Sequence, residues 1–303
     1  MAILTLGAYG GATPPTGVTN KEWTVDMDGN TDSAGIVSYP TGLAAAGHGI
    51  LFVRGGTTGA AASLADTDID VLEDLVEYQS TAYGDPAGGR TIFAPAIRGC
   101  AADVWTDGPA SPGTDEFGGD DLQDLALSWG IMDEIGVAAG TPAIHTGKKG
   151  ALAFSAGAMR LLKALRARTF QPRAVCLRSP LTNIAYPGHV TSDAVRAMIP
   201  GWTSPSGTEH QDLTTYEKAQ KVARSALHWC EDLPYIPYLI IQAEDDATIR
   251  AEDTRAFVKY MKDLGHDIDL ANVPTAGHSF ASASLVKASN NLIRGFFNRT
   301  LEV

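Results

Sequence analysis

Ala151-Leu152-Ala153-Phe154-Ser155-Ala156-Gly157-Ala158-Met159-Arg160-Leu161-Leu162 changes its hydrophobic period at the centre. Residues 151–154 form a short unbroken apolar run, as in a strand buried on both faces. Met159, Leu162 and Leu165 then recur along one side of a helix. A serine and two small residues occupy the junction. The same change repeats outward in both directions. Upstream, Ile50-Leu51-Phe52-Val53 ends at Gly55-Gly56 and precedes a helical pattern through Ile69, Leu72, Leu75 and Val76. Thr91-Ile92-Phe93-Ala94 is followed, after a long polar loop, by the stripe Leu122, Leu125, Trp129 and Met132. Downstream come Ala174 to Leu177, then Tyr238-Leu239-Ile240-Ile241 with a helix carrying Phe257, Met261 and Leu264. Ile268 to Val273 and a final helix through Leu285, Leu292 and Phe296 close the series. Strands alternating with helices of this length need crossover connections, so the fold class is α/β, a mainly parallel sheet with helices on both faces.

The first 20 residues, rich in Gly, Pro and Thr, read as an irregular arm. Two antiparallel strands, Glu22 to Met27 and Gly35 to Tyr39, are expected around the turn-rich Asp28 to Asp32. Residues 21–303 are then one domain.

Composition narrows the function. Acidic residues outnumber Lys plus Arg by 35 to 23, a formal charge of -12 that repels phosphate backbones and anionic bilayers, so neither nucleic acid nor membrane is an expected partner. The oligomeric state is not encoded in any feature of the chain. Cys100, Cys176 and Cys230 show no CxxC spacing, which argues against a disulfide framework or a zinc site, and Cys176 reads as inert core. The N-terminus lacks a signal-peptide pattern and no apolar run reaches 18 residues, so a cytoplasmic protein is expected.

Ser155 is the candidate nucleophile. Acyl transfer needs a hydroxyl held out on a tight turn at a helix N-terminus, with small neighbours; A-F-S-A-G matches G-x-S-x-G with alanine for the first glycine. A serine that only caps a helix would have the same local composition. Two further stretches bear on the choice. Gln242-Ala243-Glu244-Asp245-Asp246 puts carboxylates just past the C-terminal end of a parallel strand, where open α/β sheets gather ligand groups. Ala276-Gly277-His278-Ser279-Phe280 puts a histidine between the next strand and the last helix. Serine, carboxylate and histidine then follow in chain order, and that coincidence of three elements is the specific signal. The remaining histidines, His48, His145, His189, His210, His228 and His266, are expected to be solvated.

Four stretches carry a resemblance: Arg98-Gly99; Asp115-Glu116-Phe117-Gly118-Gly119-Asp120-Asp121; Arg224-Ser225-Ala226 on the approach to Leu239-Ile240-Ile241; and Gly277-His278-Ser279-Phe280. Across residues 48–298 the chain resembles the catalytic domain of the prolyl-oligopeptidase-like hydrolases, a branch of the α/β-hydrolase fold. The resemblance implies a Ser155, Asp246, His278 triad, Asp246 being selected over Asp245 by its distance from the strand. It also implies an oxyanion hole from the Ala156 N–H and a second donor in Arg54-Gly55-Gly56-Thr57, supplied by Gly56 or Thr57. Relatives carry tyrosine or histidine where this chain has Arg54, which could donate to the oxyanion, pair with a substrate carboxylate, or form a salt bridge. About residues 181–232 a cap insertion over the site is expected. Trp105, Tyr186 and Trp202 are candidate substrate contacts, among a set with Met198, Ile199, Tyr216 and Trp229 that could equally be local core.

The chemistry requires no cofactor and no metal. Small esters, other acyl compounds and short peptides are the expected substrates. Family peptidases usually carry an N-terminal propeller, for which this chain has no room, and this favours ester hydrolysis over the small-peptide peptidase. A non-catalytic binding protein on the same fold is the alternative of another class.

Overall fold

In the computed structural model, residues 3–9, 14–26, 31–41, 47–56, 74–76, 90–96, 98, 113, 115–119, 122–134, 148–185, 196, 198–205, 207–280 and 282–301 are described. Among the described residues, nine strands form one sheet: β1 Ile3–Ala8, β2 Val18–Asp26, β3 Thr31–Pro40, β4 His48–Val53, β5 Arg90–Pro95, β6 Lys149–Phe154, β7 Val175–Arg178, β8 Tyr238–Ala243 and β9 Ile268–Val273. The helices that matter here are α1 Leu122–Ile131, α2 Ala156–Arg166, α3 Thr215–Ala223, α4 Ala251–Asp263 and α5 Ala283–Leu301. The sheet order is β1-β2-β3-β5-β4-β6-β7-β8-β9. The first three strands and β5 pair antiparallel; from β5 through β4 to β9 every pairing is parallel.

Residue alternation along the central strands divides the core in two. Leu51, Val53, Ala151, Ala153, Val175, Leu177 and Ile240 face one side. There Leu161, Leu162 and Leu165 of α2 and Phe257, Val258 and Met261 of α4 cover them. Ile50, Phe52, Leu152, Phe154, Cys176 and Ile241 face the other, under Ile293, Phe296, Phe297 and Leu301 of α5. With both faces covered, β4, β6 and β8 are buried throughout, the physical reason they read as unbroken apolar runs. The edge strand β9 is only partly buried. None of the described helices is long and apolar enough to cross a membrane.

The chain leaves β4 to form β5 on one side and then returns past β4 to place β6 on the other. Strand order reverses between β4 and β6. Connections diverge at such a point and leave a crevice beyond the C-terminal strand ends, so the topology itself selects the place for a site.

The N-terminal expectation needs correction. Residues 3–8 are not irregular: β1 pairs with β2 over its whole length, Ile3 opposite Asp26 and Ala8 opposite Lys21. Among the described strands it is hydrogen-bonded to β2, in the first part of the expected domain, with Leu4 and Leu6 packed on the core. The hairpin strands are also longer than expected, because backbone pairing from Val18↔Pro40 to Asp26↔Thr31 extends beyond the apolar residues. In the stretch after β7, Ala226, Trp229 and Cys230 join the main core, and Met198 packs with Phe117, Ala156, Met159 and Ile184.

Trp23 of β2 is fully buried and stacks on Phe93 of β5 with ring centroids 4.4 Å apart, across the intervening strand β3. Trp23→Ala removes this aromatic anchor and leaves a cavity; a loss of about 3–5 kcal/mol in unfolding free energy is expected, measured by urea denaturation.

Candidate active site

Ser155 follows directly on β6, and α2 begins at the next residue. Its backbone has φ 50° and ψ -122°, a left-handed conformation that costs a non-glycine residue about 1–3 kcal/mol. Neighbouring contacts hold it there. The Ser155 N–H donates to the Arg178 carbonyl at 3.0 Å, and the Ser155 carbonyl accepts from the N–H groups of Ala158 and Leu181. Packing is equally restrictive: a Cβ on Gly55 would lie 2.8 Å from the Ser155 Cβ, and one on Gly157 would lie 2.1 Å from the Arg54 carbonyl oxygen. The loop after β4 and the first turn of α2 therefore approach as closely as backbones can. The first glycine of G-x-S-x-G is replaced by Ala153, which is fully buried in the core.

Three distant segments converge on the hydroxyl. His278 Nε2 is 2.9 Å from Ser155 Oγ, and His278 Nδ1 is 2.8 Å from Asp246 Oδ2. Asp246 has a fully buried side chain; its Oδ1 accepts from the N–H groups of Thr248 and Ile249, and its Oδ2 also accepts from Gln242 Nε2 at 3.2 Å. Burial alone pushes this carboxyl pKa up, but the His278 hydrogen bond, the Ile249 N–H, the His278 charge and the Thr248 N–H together hold it below the usual carboxylate range. The acid stays ionised. Asp245 points elsewhere: its Oδ1 accepts from Ala276 and Gly277 N–H at 2.9 and 2.8 Å, which fixes the loop carrying the histidine and lowers the Asp245 pKa. Ser179 Oγ donates to the His278 carbonyl at 3.2 Å, and Phe280 is buried in the core, so the loop is held at both ends.

Ser155 and His278 open onto a cavity of about 840 Å³ at the C-terminal edge of the sheet. Arg54, Gly55, Gly56, Arg178, Phe280 and Lys287 contribute to its walls. Ala156 is the first residue of α2, where N–H groups lack intrahelical acceptors. Arg160 Nη1 donates to the Gly56 carbonyl at 3.3 Å, and its Nη2 pairs with the buried Asp115 at 2.7 Å. Arg224 donates to the Phe117 and Glu116 carbonyls. These arginines make the Asp115–Gly119 segment a brace for α2 and the loop after β4.

Among the other expected site residues, Arg54 is buried and lines the cavity, whereas Trp202 is partly buried and does not line it. Thr57, Trp105 and Tyr186 lie outside the described residues, as do Cys100, His145 and His189. Two histidines expected in solvent are buried instead. His48 opens β4, and His266 stacks on Tyr235 at 4.1 Å, with burial lowering its pKa. Apolar neighbours supplied by the fold outweigh the preference of a loop histidine for water. Gln242 and Arg178 escaped the sequence reading. Both lie at C-terminal strand ends, the same positional signal that singled out Asp246.

The model of the prolyl oligopeptidase family matches residues 137–303, a span that contains Ser155, Asp246 and His278. The chain belongs to the prolyl oligopeptidase family. Membership makes it a serine hydrolase acting on esters or peptides. No curated protein matches it. Among solved structures, a thermostable esterase from Pseudomonas putida ECU1011 has a TM-score of 0.64 at 17% identity, covering 96% of this chain and 86% of that one. Carboxyl esterase 2 from the mycorrhizal fungus Tuber melanosporum gives 0.61 at 18% identity, with 98% and 91% covered. The Francisella virulence factor BioJ gives 0.63 at 16%, with 95% and 86% covered. At these identities the likeness establishes the α/β-hydrolase fold of this family member.

The contact of Gly55 with Ser155 leaves no space for a methyl group. Gly55→Ala displaces the hydroxyl from His278, and a fall of about 10²-fold in kcat is expected on any ester the wild-type protein cleaves.

Proposed function

We propose that this protein hydrolyses carboxylic esters through a Ser155, His278, Asp246 triad and an acyl-enzyme intermediate. The observation that carries the reading is the continuous hydrogen-bonded path from Ser155 Oγ through both ring nitrogens of His278 to Asp246, ending on an ionised, buried carboxylate. His278 Nε2 takes the hydroxyl proton as Oγ attacks the ester carbonyl, while Asp246 fixes the tautomer and stabilises the imidazolium. The tetrahedral oxyanion is received by the Ala156 N–H, with a second donor from the Gly56–Thr57 backbone. The imidazolium then returns its proton to the departing alkoxide. Water repeats the sequence on the acyl-enzyme and releases the acid. Arg160 takes part as a positioning residue, through the Gly56 carbonyl.

One observation supports esters over peptides. The structural neighbours named above include proteins described as esterases. The peptidase reading predicts the reverse preference, and a binding protein predicts no turnover at all. The residues after β7, about 181–232, are proposed to act as a cap bounding the acyl site.

Turnover of p-nitrophenyl acyl esters should exceed that of aminoacyl p-nitroanilides, and a fluorophosphonate probe should label the folded wild-type protein. Ser155→Ala is expected to lower ester turnover by about 10⁴- to 10⁶-fold with thermal unfolding nearly unchanged, and Asp246→Asn far more than Asp245→Asn. A folded wild-type protein that neither labels nor cleaves ester would exclude the triad reading.

A further inference from the structure

We infer that Gln242 is a positioning residue of the reaction, set by Thr254 of α4 to hold the Asp246 carboxylate at the angle from which it meets His278. This deepens the proposed function and rests on Ser155 being the nucleophile. The first observation is a polar pair where the fold asks for apolar residues. Along β8, Tyr238 and Ile240 point into the core layer that α4 covers with Phe257, Val258 and Met261, and Gln242 continues the same alternation two residues on. Gln242 and Thr254 are both fully buried. Buried polar groups cost stability unless their donors and acceptors are used, and an apolar pair of similar size would escape that requirement. Here the amide is engaged at both ends. The Thr254 hydroxyl donates to Gln242 Oε1 at 2.9 Å, while Gln242 Nε2 donates to the Ala243 carbonyl at 3.0 Å and to Asp246 Oδ2 at 3.2 Å.

The second observation is how little freedom these bonds leave the carboxylate. Both partners of Nε2 are acceptors, so turning the amide over would set oxygen against oxygen on that side; the Thr254 hydroxyl keeps the amide the right way round. Asp246 Oδ1 is held by the N–H groups of Thr248 and Ile249 in the loop that follows it. Oδ2 meets the His278 ring at 2.8 Å and Gln242 at 3.2 Å. The loop thus fixes one oxygen and the strand, through Gln242, fixes the other. Alignment counts most when the imidazolium forms, because the Asp246–His278 contact then becomes an ion pair that depends on a straight hydrogen bond. Gln242 is absent from the described walls of the cavity, so its effect falls on kcat rather than on KM. The charged groups that flank these residues in sequence are turned to other partners. Asp245 accepts from Ala276 and Gly277, Asp253 of α4 accepts from Asn183 Nδ2, and Glu244 pairs with Arg255.

The test follows p-nitrophenyl acetate turnover, the rate of fluorophosphonate labelling and urea denaturation of the whole chain. Gln242→Met should lower kcat about tenfold with KM nearly unchanged, the effect of one hydrogen bond to a charged group, and slow labelling similarly. Thr254→Val should lower kcat in the same direction, and adding it to Gln242→Met should cost nothing further, because the hydroxyl acts through the amide. That double variant replaces both polar partners with apolar groups and should unfold at nearly the wild-type urea concentration. Gln242→Glu keeps the shape but turns a carboxyl toward Asp246. Like charge raises its pKa, so at the acid end it keeps a proton and donates as the amide does; once deprotonated it repels Asp246. Its kcat relative to wild type should therefore fall by about tenfold from the acid to the alkaline end of the stable range. A wild-type kcat in Gln242→Met, additive losses in the double variant, or a Gln242→Glu ratio constant with pH would each overturn the role of Gln242 while the nucleophile stands. If Gln242→Met does not fold, Thr254→Val and Gln242→Glu decide. A wild-type protein that neither labels with fluorophosphonate nor cleaves ester would overturn both.

Discussion

One local constraint governs the chemistry of this protein: Ser155 must hold a left-handed backbone between β6 and α2 while the loop after β4 presses against it. The conformation is unfavourable for a serine in isolation. It persists because Gly55 and Gly157 have no side chains, and because the adjacent strand β7 accepts the Ser155 N–H. Reversal of strand order between β4 and β6 creates the crevice into which the hydroxyl projects. Fold and site are thus one problem. The parallel sheet is needed to bring residue 55 beside residue 155, and their contact fixes where the Ser155 hydroxyl lies.

A second layer of structure keeps the Ser155, His278 and Asp246 hydrogen bonds in register. The two adjacent acids divide the work: Asp246 faces the imidazole, while Asp245 grips the backbone from which that imidazole hangs. Gln242 closes the arrangement from below, donating to Asp246 and accepting from Thr254 Oγ1 of α4. On the other side of Ser155, the buried Arg160–Asp115 pair links α2 to the loop after β4. A buried ion pair contributes little net stability, because desolvation opposes the attraction; its use here is to fix one arrangement of two segments.

Much of this was legible in the sequence. Unbroken apolar runs marked the doubly covered strands, and the change of period at Ser155 marked the junction where a nucleophile can be presented. The order of serine, acid and histidine did the rest. What escaped shares a physical cause, dependence on partners remote in sequence. Strand β1 is defined by backbone pairing with β2, which no side-chain pattern in a Gly- and Thr-rich segment announces. His48 and His266 are buried by elements far from them along the chain. The choice of Asp246 over Asp245, by contrast, came from its distance from the strand, and the structure turns Asp246 toward His278 and Asp245 toward the Ala276 and Gly277 N–H groups. Arg178 gains its place only when β7 lies beside β6 and Phe154 lies beneath the guanidinium.

The most direct test of the account is a crystal structure of the protein reacted with a small alkyl phosphonate. The account predicts phosphorus bonded to Ser155 Oγ, a phosphonyl oxygen within about 3 Å of the Ala156 N–H, and the His278 ring still bridging the adduct and Asp246. An adduct on any other residue, or an imidazole turned away from residue 155 in the reacted protein, would contradict it.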